Sequence, residues 1–197
     1  MDENRKYVLK RFLKDTTNHK MEILLDNGIH RHLKFSNNGS SIYRFDITTW
    51  PGYLCVCGDM GTFVFQRLED MFCFFRSSKN VIDINPSYWA KKCQAGKESL
   101  DEYQPKIFMQ RIEECMNEGE FSEWARKAVK YEVLSHAGDG EHEAIQSAMD
   151  FEIDGQQAFP DFYEYNLRDW TLHYLWICYA IIWGINQYDH KNGMAVQ

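Results

Sequence analysis

The sequence predicts an α+β protein in which an N-terminal helix and an antiparallel β-meander of about five strands precede a mostly helical C-terminal half. Three observations lead to this prediction. Apolar and polar residues alternate between residues 20 and 66, closely spaced turn signals divide that stretch, and apolar residues adopt helical spacing from about residue 67. A chain of 197 residues that is 44% hydrophobic can bury a sizeable core. We therefore expect a single α+β domain over 1–197, with a β-rich lobe at about 1–76 and a helical lobe at about 77–197.

The first 66 residues supply the helix and the strands. Val8, Leu9, Phe12 and Leu13 lie on one face of a short helix that Asp2 can cap. Turn signals of the Asn-Gly, Pro-Gly and Gly-Asp type then separate five short segments, at about 20–26, 29–35, 41–48, 53–57 and 62–66. Connections this short favour an antiparallel meander.

Alternation within the strands assigns the two faces of the sheet, because successive side chains point to opposite sides. We expect one face to contribute to the core, with Leu33, Phe35, Tyr43, Phe45 and Ile47. The other face is expected to be wet, with His30, His32, Lys34, Arg44 and Asp46.

Helical spacing dominates the rest of the chain. We expect helices at about 67–76, from Pro86 through Trp89, at 104–117, at 121–137, from an Asp139 cap to about 151, and from about 161 to 188. In the 121–137 helix the apolar set comprises Phe121, Trp124, Ala125, Ala128 and Tyr131. The apolar stretch 170–185 is shorter than the ~20 residues of a membrane span and predicts a buried core helix.

Charge is distributed unevenly along the chain. The net charge of −7 excludes a uniformly basic nucleic-acid binder, so we expect no direct DNA binding. Residues 1–100 carry 15 basic and 11 acidic side chains, whereas residues 101–170 carry 6 basic and 17 acidic ones. This asymmetry indicates two surfaces of opposite potential and a partner that recognises one of them. The six cysteines lack the spacing of a disulfide scaffold, and no apolar leader opens the sequence, so we expect a cytoplasmic protein without a membrane segment.

The acidic half provides the strongest candidate for a binding surface. Carboxylates spaced along helices can imitate the phosphates of a duplex and occupy a basic groove made for nucleic acid. A set of merely solvated helical faces would have the same composition. The candidate partner-binding residues are Glu113, Glu114, Glu120, Glu123, Glu141 and Glu143, together with Trp50 in the Pro51-Gly52 turn, where an exposed aromatic residue can anchor a partner.

A small site on the meander is the alternative. His30 and His32 project to the same side of one strand and, together with Cys57 and Asp59, offer ligands of the kinds that zinc accepts. Cys55 and Cys57 lack the C-x2-C spacing of structural zinc sites, so two buried cysteines behind two exposed histidines would explain the same pattern. We assign no catalytic residue and no cofactor.

Three other motifs have plain structural explanations. Gly58-Asp59-Met60-Gly61-Thr62 is typical of a tight hairpin turn, although its glycines would also let a phosphate approach. The set of acidic and histidine residues between His136 and Glu143 fits a solvated helix junction. His173, four residues after Asp169, is interpreted as a hydrogen-bonded core histidine, since no nucleophile motif accompanies it.

The segment 43–65, YRFDITTWPGYLCVCGDMGTFVF, resembles a family of uncharacterised phage and prophage proteins. The resemblance continues through 68–72 and 84–86 and extends to the end of the final helix at 183–189, about half of the chain. It carries no reaction and no assigned catalytic residue.

The resemblance implies a small accessory protein made in an infected bacterium. Combined with the acidic half, it leads to the hypothesis of a non-enzymatic inhibitor that docks on a host defence complex, of the CRISPR or restriction type, and competes with nucleic acid there. The expected partner is thus a host protein or ribonucleoprotein complex in the bacterial cytoplasm. One alternative is a small metal-dependent or nucleotide-handling enzyme with its site on the meander. Another is an adaptor whose wet sheet face, with His30, His32, Lys34 and Arg44, contacts an acidic partner or RNA.

Overall fold

A six-stranded antiparallel sheet forms the N-terminal half of the protein in the computed structural model, which describes residues 3–76 and 82–193. The strands follow one another in chain order: β1 (Lys20–Asn27), β2 (His30–Ser36), β3 (Phe45–Trp50), β4 (Tyr53–Gly58), β5 (Gly61–Gln66) and β6 (Cys93–Ala95). The predicted meander is confirmed. The sequence does not predict β6, because three residues are too few to display alternation.

The first helix, α1 (Glu3–Asp15), lies where the apolar spacing predicts it and buries Val8 and Phe12. The predicted cap, Asp2, lies outside the described residues. Two short helices, α2 (Met71–Phe75) and α3 (Pro86–Ala90), come between β5 and β6. The predicted helix at 67–76 is shorter than expected, because the Asp70 side chain caps it by accepting a hydrogen bond from the Phe72 N–H at 2.9 Å.

One face of the sheet is buried along β2 and β3, as alternation predicts. The side chains of Leu33, Phe35, Phe45 and Ile47 are all 0% exposed. Tyr43 departs from the expected pattern: β3 begins at Phe45, and Tyr43 has a left-handed backbone with φ of 54°. Asp46, predicted on the wet face, is buried there because Arg44 and His32 bind its carboxylate at 3.1 and 3.0 Å.

The turn between β4 and β5 is a two-residue hairpin in which Gly58 pairs with Gly61. A side chain at Gly58 has no room, because a Cβ atom there would lie 2.1 Å from the backbone oxygen of Arg44. The Asp59 N–H donates to that same oxygen at 2.9 Å, and the Asp59 carboxylate accepts from the Tyr43 N–H at 2.8 Å. This motif therefore binds the loop before β3 and serves as a structural turn.

The last helix, α7 (Leu172–Lys191), packs against the buried face of the sheet and buries 13 of its residues. The predicted start near 161 is wrong. Thr171 caps α7 by accepting a hydrogen bond from the Tyr174 N–H at 3.1 Å, and residues 162–164 and 168–170 instead form a 3-10 turn and the strand β10 (Arg168–Trp170). Helix α1 covers α7 in turn, with the rings of Phe12 and Trp176 in edge-to-face contact at 5.0 Å.

The contacts divide the chain into two compact units. Unit 1 comprises residues 1–100 and 170–197, and unit 2 comprises residues 101–169. The sequence places the final helix with the helical lobe, but the contacts of α7 place it with the sheet. The two segments of unit 1 meet at the point where one ends and the other begins. There the Thr171 N–H donates to the Leu100 oxygen at 2.9 Å, and the Thr171 hydroxyl donates to the Ser99 oxygen at 2.7 Å.

Unit 2 has its own core, built from three helices and the aromatic residues Phe151, Phe159 and Phe162. The helices are α4 (Pro105–Glu118), α5 (Glu123–Glu132) and α6 (Glu141–Met149), with short strands β7 (Asp101–Tyr103), β8 (Glu152–Ile153) and β9 (Gln156–Gln157). Helix α5 is shorter than predicted, because a 3-10 helix follows it at 134–138. The predicted Asp139 cap is also wrong: Gly140 is the N-cap of α6, and Asp139 binds His136 at 2.8 Å.

A polar network ties β2, α2 and α7 together in unit 1. The buried Arg31 guanidinium donates two hydrogen bonds of 2.9 Å to Asp70 and lies 4.5 Å from the centre of the Phe72 ring and 5.5 Å from that of Tyr188. Tyr188 in turn donates to Asp26 at 2.9 Å. Burial acts to raise the pKa of the Asp70 carboxyl, but the Arg31 guanidinium and the Phe72 N–H outweigh it, so this pKa lies below its ordinary value.

We predict that Asp70→Asn lowers the free energy of unfolding by about 3 kcal/mol at pH 7, because it leaves a buried guanidinium without its counter-charge while the amide can still cap α2. The pKa of Asp70 is lower in the folded than in the unfolded protein. The difference in free energy of unfolding between the wild type and the variant is therefore complete above the unfolded pKa of about 3.9, and it disappears as the pH falls through the folded pKa. Urea unfolding of both proteins at neutral and acidic pH measures it. An equal gap at pH 7 and below pH 3 would contradict the assigned role of the charge.

A second prediction concerns Gly58. Gly58→Ala should destabilise the protein by more than 2 kcal/mol, on the order of an overpacked core site, because its Cβ collides with backbone that cannot rotate away. Gly28→Ala is the matched control, since Gly28 also lies in a hairpin with positive φ but has open space around it, and it should cost only about 1 kcal/mol. Equal losses in thermal or urea unfolding would show that the close approach at Gly58 is unimportant.

Candidate functional site

The six candidate glutamates all lie in unit 2, but four of them already face a cation of that unit. Glu113 binds Arg126 at 3.1 Å and Glu123 binds Lys127 at 3.3 Å. Glu114 pairs with Arg111, and Glu141 pairs with Arg168, which also binds Asp101. These four carboxylates are therefore partly neutralised and less available to a partner than the sequence suggests.

Glu120 and Glu143 are different. Both side chains are exposed, and no ion pair involves either of them among the described residues. Glu120 follows the end of α4 in a left-handed conformation with φ of 50°, and Glu143 lies in the first turn of α6, where the helix dipole favours a carboxylate. These two residues are the best-supported members of the acidic set.

Helix α5 presents two large aromatic side chains to solvent. Trp124 is 67% exposed and Tyr131 is 75% exposed, and a spacing of seven residues places them on one face of the helix. The sequence predicts both residues on the apolar face of this helix, and that prediction is wrong. Ala125 and Val129 form the buried face instead, which points Trp124 and Tyr131 outward. The exposed face of α5 is therefore aromatic as well as charged.

Trp50, the aromatic residue singled out in the sequence, lies in unit 1 at the end of β3. Its ring stacks on Tyr53 at 5.4 Å with an angle of 13° between the planes, and 36% of the residue is exposed. The structure confirms partial exposure. Trp124 is nearly twice as exposed, and it shares unit 2 with the two candidate glutamates that form no ion pair within the described residues.

The alternative metal-ligand set is not assembled. His30 begins β2, and Asp59 follows β4 at the opposite end of the sheet, where Phe35, Phe45 and Gly58 pair. Five strand positions separate the two ends, a distance of about 17 Å. Within residues 3–76 and 82–193, no group of three or more metal-binding side chains comes together.

Of the remaining members of that set, His32 has a structural partner and Cys57, like its neighbour Cys55, has a raised pKa. His32 binds the Asp46 carboxylate at 3.0 Å. Burial raises the pKa of Cys55 to about 11, and burial followed by the charge of Asp46 raises the pKa of Cys57. Both thiols therefore stay protonated near neutral pH, which makes them poor nucleophiles and poor metal ligands.

The two other histidine motifs lie at the surface. His136 and Asp139 form an exposed pair at 2.8 Å within unit 2. His173 is exposed on the first turn of α7, so its interpretation as a core residue is wrong. The helix buries the faces on either side of it, including Tyr174 and Trp176, and leaves this position to solvent.

Comparisons of the chain with protein-family models, with curated proteins and with solved structures give no match. None of the helices within the described residues is long and apolar enough to cross a membrane.

Proposed function

We propose that this chain is a phage-encoded, non-enzymatic protein whose unit 2 binds a basic, nucleic-acid-handling surface of a bacterial defence complex and inhibits it. The observation that carries the proposal is the combination, in one unit of 69 residues, of a strong acidic excess with exposed aromatic side chains. The defence complex is of the CRISPR or restriction type, and the protein acts in the host cytoplasm. The motif in 43–65 supports the phage context.

The charge of unit 2 favours a basic partner. The unit carries 17 acidic and 6 basic side chains, a balance of −11. Four of the six cations, Arg111, Arg126, Lys127 and Arg168, are committed to carboxylates of the same unit. The excess negative charge attracts a basic surface over a distance of about one Debye length and accelerates association. Binding of this kind weakens as salt is added.

The aromatic face of α5 provides binding energy that exposed charges do not. Exposed charge pairs contribute little affinity each, whereas buried Trp and Tyr side chains dominate the binding energy of most interfaces. Trp124 and Tyr131 stand one above the other along α5, next to Glu123 and Glu132 on the same helix. A partner that covers this face gains apolar burial and charge complementarity together.

Competition with nucleic acid supplies the inhibitory step. A protein groove that binds DNA or RNA concentrates Lys and Arg to neutralise phosphates. A surface of carboxylates that occupies the same groove excludes the nucleic acid without being processed, since it offers no phosphodiester to cleave. Inhibition by this route needs no catalytic residue in the inhibitor.

We predict that Glu120→Lys/Glu143→Lys weakens binding to the target complex by at least tenfold, because it reverses the two candidate carboxylates that have no cation beside them. The matched control is Glu69→Lys/Glu98→Lys, two exposed glutamates of unit 1, which changes the net charge by the same amount. The partner is recovered with the tagged protein from lysates of bacteria that carry defence systems, and displacement of labelled nucleic acid from the purified partner is then titrated.

The control variant should displace nucleic acid as well as the wild type does, and high salt should abolish displacement. Equal weakening by both variants would show that only net charge matters. Full displacement by Glu120→Lys/Glu143→Lys would contradict the acidic mechanism, provided that thermal unfolding shows a folded variant.

A further prediction tests α5. Trp124→Ala should weaken the same binding by at least tenfold, about 1.4 kcal/mol or more, because it removes the anchor that the partner buries. Tyr163→Ala is the control, since Tyr163 is 57% exposed in the same unit but on a different element. Both residues are exposed, so both variants should unfold at the wild-type temperature. Loss of binding in the Tyr163 variant alone would place the interface elsewhere.

A further inference from the structure

A pocket of about 640 Å³ lies in unit 1 between α1 and the loop that precedes β3. Its volume falls within the range of small-molecule sites. The lining residues are Tyr7, Lys10, Arg11, Lys14, Asp15 and Tyr43. The first four occupy one face of α1, since positions three, four and seven residues apart align along a helix. No residue of this pocket belongs to the acidic unit or to the sequence motifs considered for chemistry.

The pocket is basic. Asp15 is its one carboxylate and already has partners, because it accepts a hydrogen bond from the Trp176 indole at 3.2 Å and lies 3.6 Å from Arg11. Lys10 and Lys14 are exposed and form no ion pair within the described residues. The pKa of Arg11 lies above its ordinary value, chiefly through hydrogen bonding to the Tyr43 side chain, and the guanidinium is charged as in any arginine. The pocket therefore has three cations and one carboxylate, and that carboxylate already has a hydrogen-bond donor and an ion-pair partner.

Tyr43 forms the opposite wall and is held in a strained conformation. Its φ of 54° is rare for a bulky residue. Hydrogen bonds fix its backbone on both sides, from its N–H to Asp59 at 2.8 Å and between its oxygen and His19 at 3.0 Å. The ring packs on Trp176 at 6.3 Å, nearly parallel to it. These contacts fix the position of the Tyr43 ring at the wall of the pocket.

We propose that this pocket binds a nucleotide. Lys10, Arg11 and Lys14 would hold the phosphates, because Arg and Lys are the usual donors to phosphate oxygens. Tyr7 and Tyr43 provide the aromatic surface on which a base stacks, as bases do on exposed aromatic rings in many nucleic-acid-binding proteins. The site is independent of the acidic unit and of the proposed inhibition.

The test is calorimetric titration of the intact protein with three probes: ATP, adenosine and inorganic phosphate. ATP should bind with a dissociation constant below about 1 mM, and at least tenfold more tightly than adenosine or phosphate. Absence of heat with ATP would overturn the proposal. Equal affinities for ATP and phosphate would overturn it as well, since the tyrosines would then contribute nothing.

Two variants separate the two parts of the site. Lys10→Gln/Lys14→Gln should weaken ATP binding at least tenfold, whereas Lys91→Gln/Lys97→Gln, which removes two exposed lysines elsewhere in unit 1, should leave it unchanged. Tyr43→Gly keeps a residue that tolerates positive φ and removes the ring on which the base stacks, so this variant should bind ATP more weakly than the wild type does. Unchanged ATP affinity in both pocket variants would overturn the assignment.

Discussion

The burial of α7 against the sheet is the interaction on which the rest of this structure depends. Helix α7 is apolar on nearly all sides, so it is stable only when covered by the sheet on one side and α1 on the other. Gly184 permits the close contact, because a Cβ there would lie 2.7 Å from the Ile47 side chain and 3.0 Å from that of Phe35. The C-terminal segment must therefore return to strands formed more than a hundred residues earlier.

That return makes residues 101–169 an insertion into unit 1. The chain leaves unit 1 at Leu100 and re-enters it at Trp170, and the Thr171 N–H donates a hydrogen bond of 2.9 Å to the Leu100 oxygen. The inserted unit buries its own core. The uneven charge of the sequence follows this division, because residues 101–169 carry 17 acidic and 6 basic side chains. The acidic surface with its exposed aromatics belongs to the insertion, and the basic pocket on α1 belongs to the sheet unit.

The sequence predicts where the helices and strands lie better than it predicts which of their faces pack together. Period-two alternation and Gly-containing turns reveal five strands and identify Leu33, Phe35, Phe45 and Ile47 as core. Residue type alone leaves the rotation of α5 undetermined: the sequence places its aromatic residues on the buried face, yet the buried residues of this helix are Ala125 and Val129. The basic pocket cannot be read from the sequence, since Tyr43 joins α1 only through the tertiary fold, in a conformation that no local pattern specifies.

Removing residues 101–169 tests most directly whether this insertion recognises the partner. A variant in which a short Gly-Ser linker joins Leu100 to Trp170 should keep the sheet and α7 folded. The linker has only a short distance to span, because the Thr171 N–H donates a hydrogen bond to the Leu100 oxygen. The affinity of this variant for the target complex should then be compared with that of the whole chain. We expect a folded protein that no longer binds the complex or displaces nucleic acid from it. A folded variant that still binds as tightly as the whole chain would contradict the claim that residues 101–169 recognise the partner.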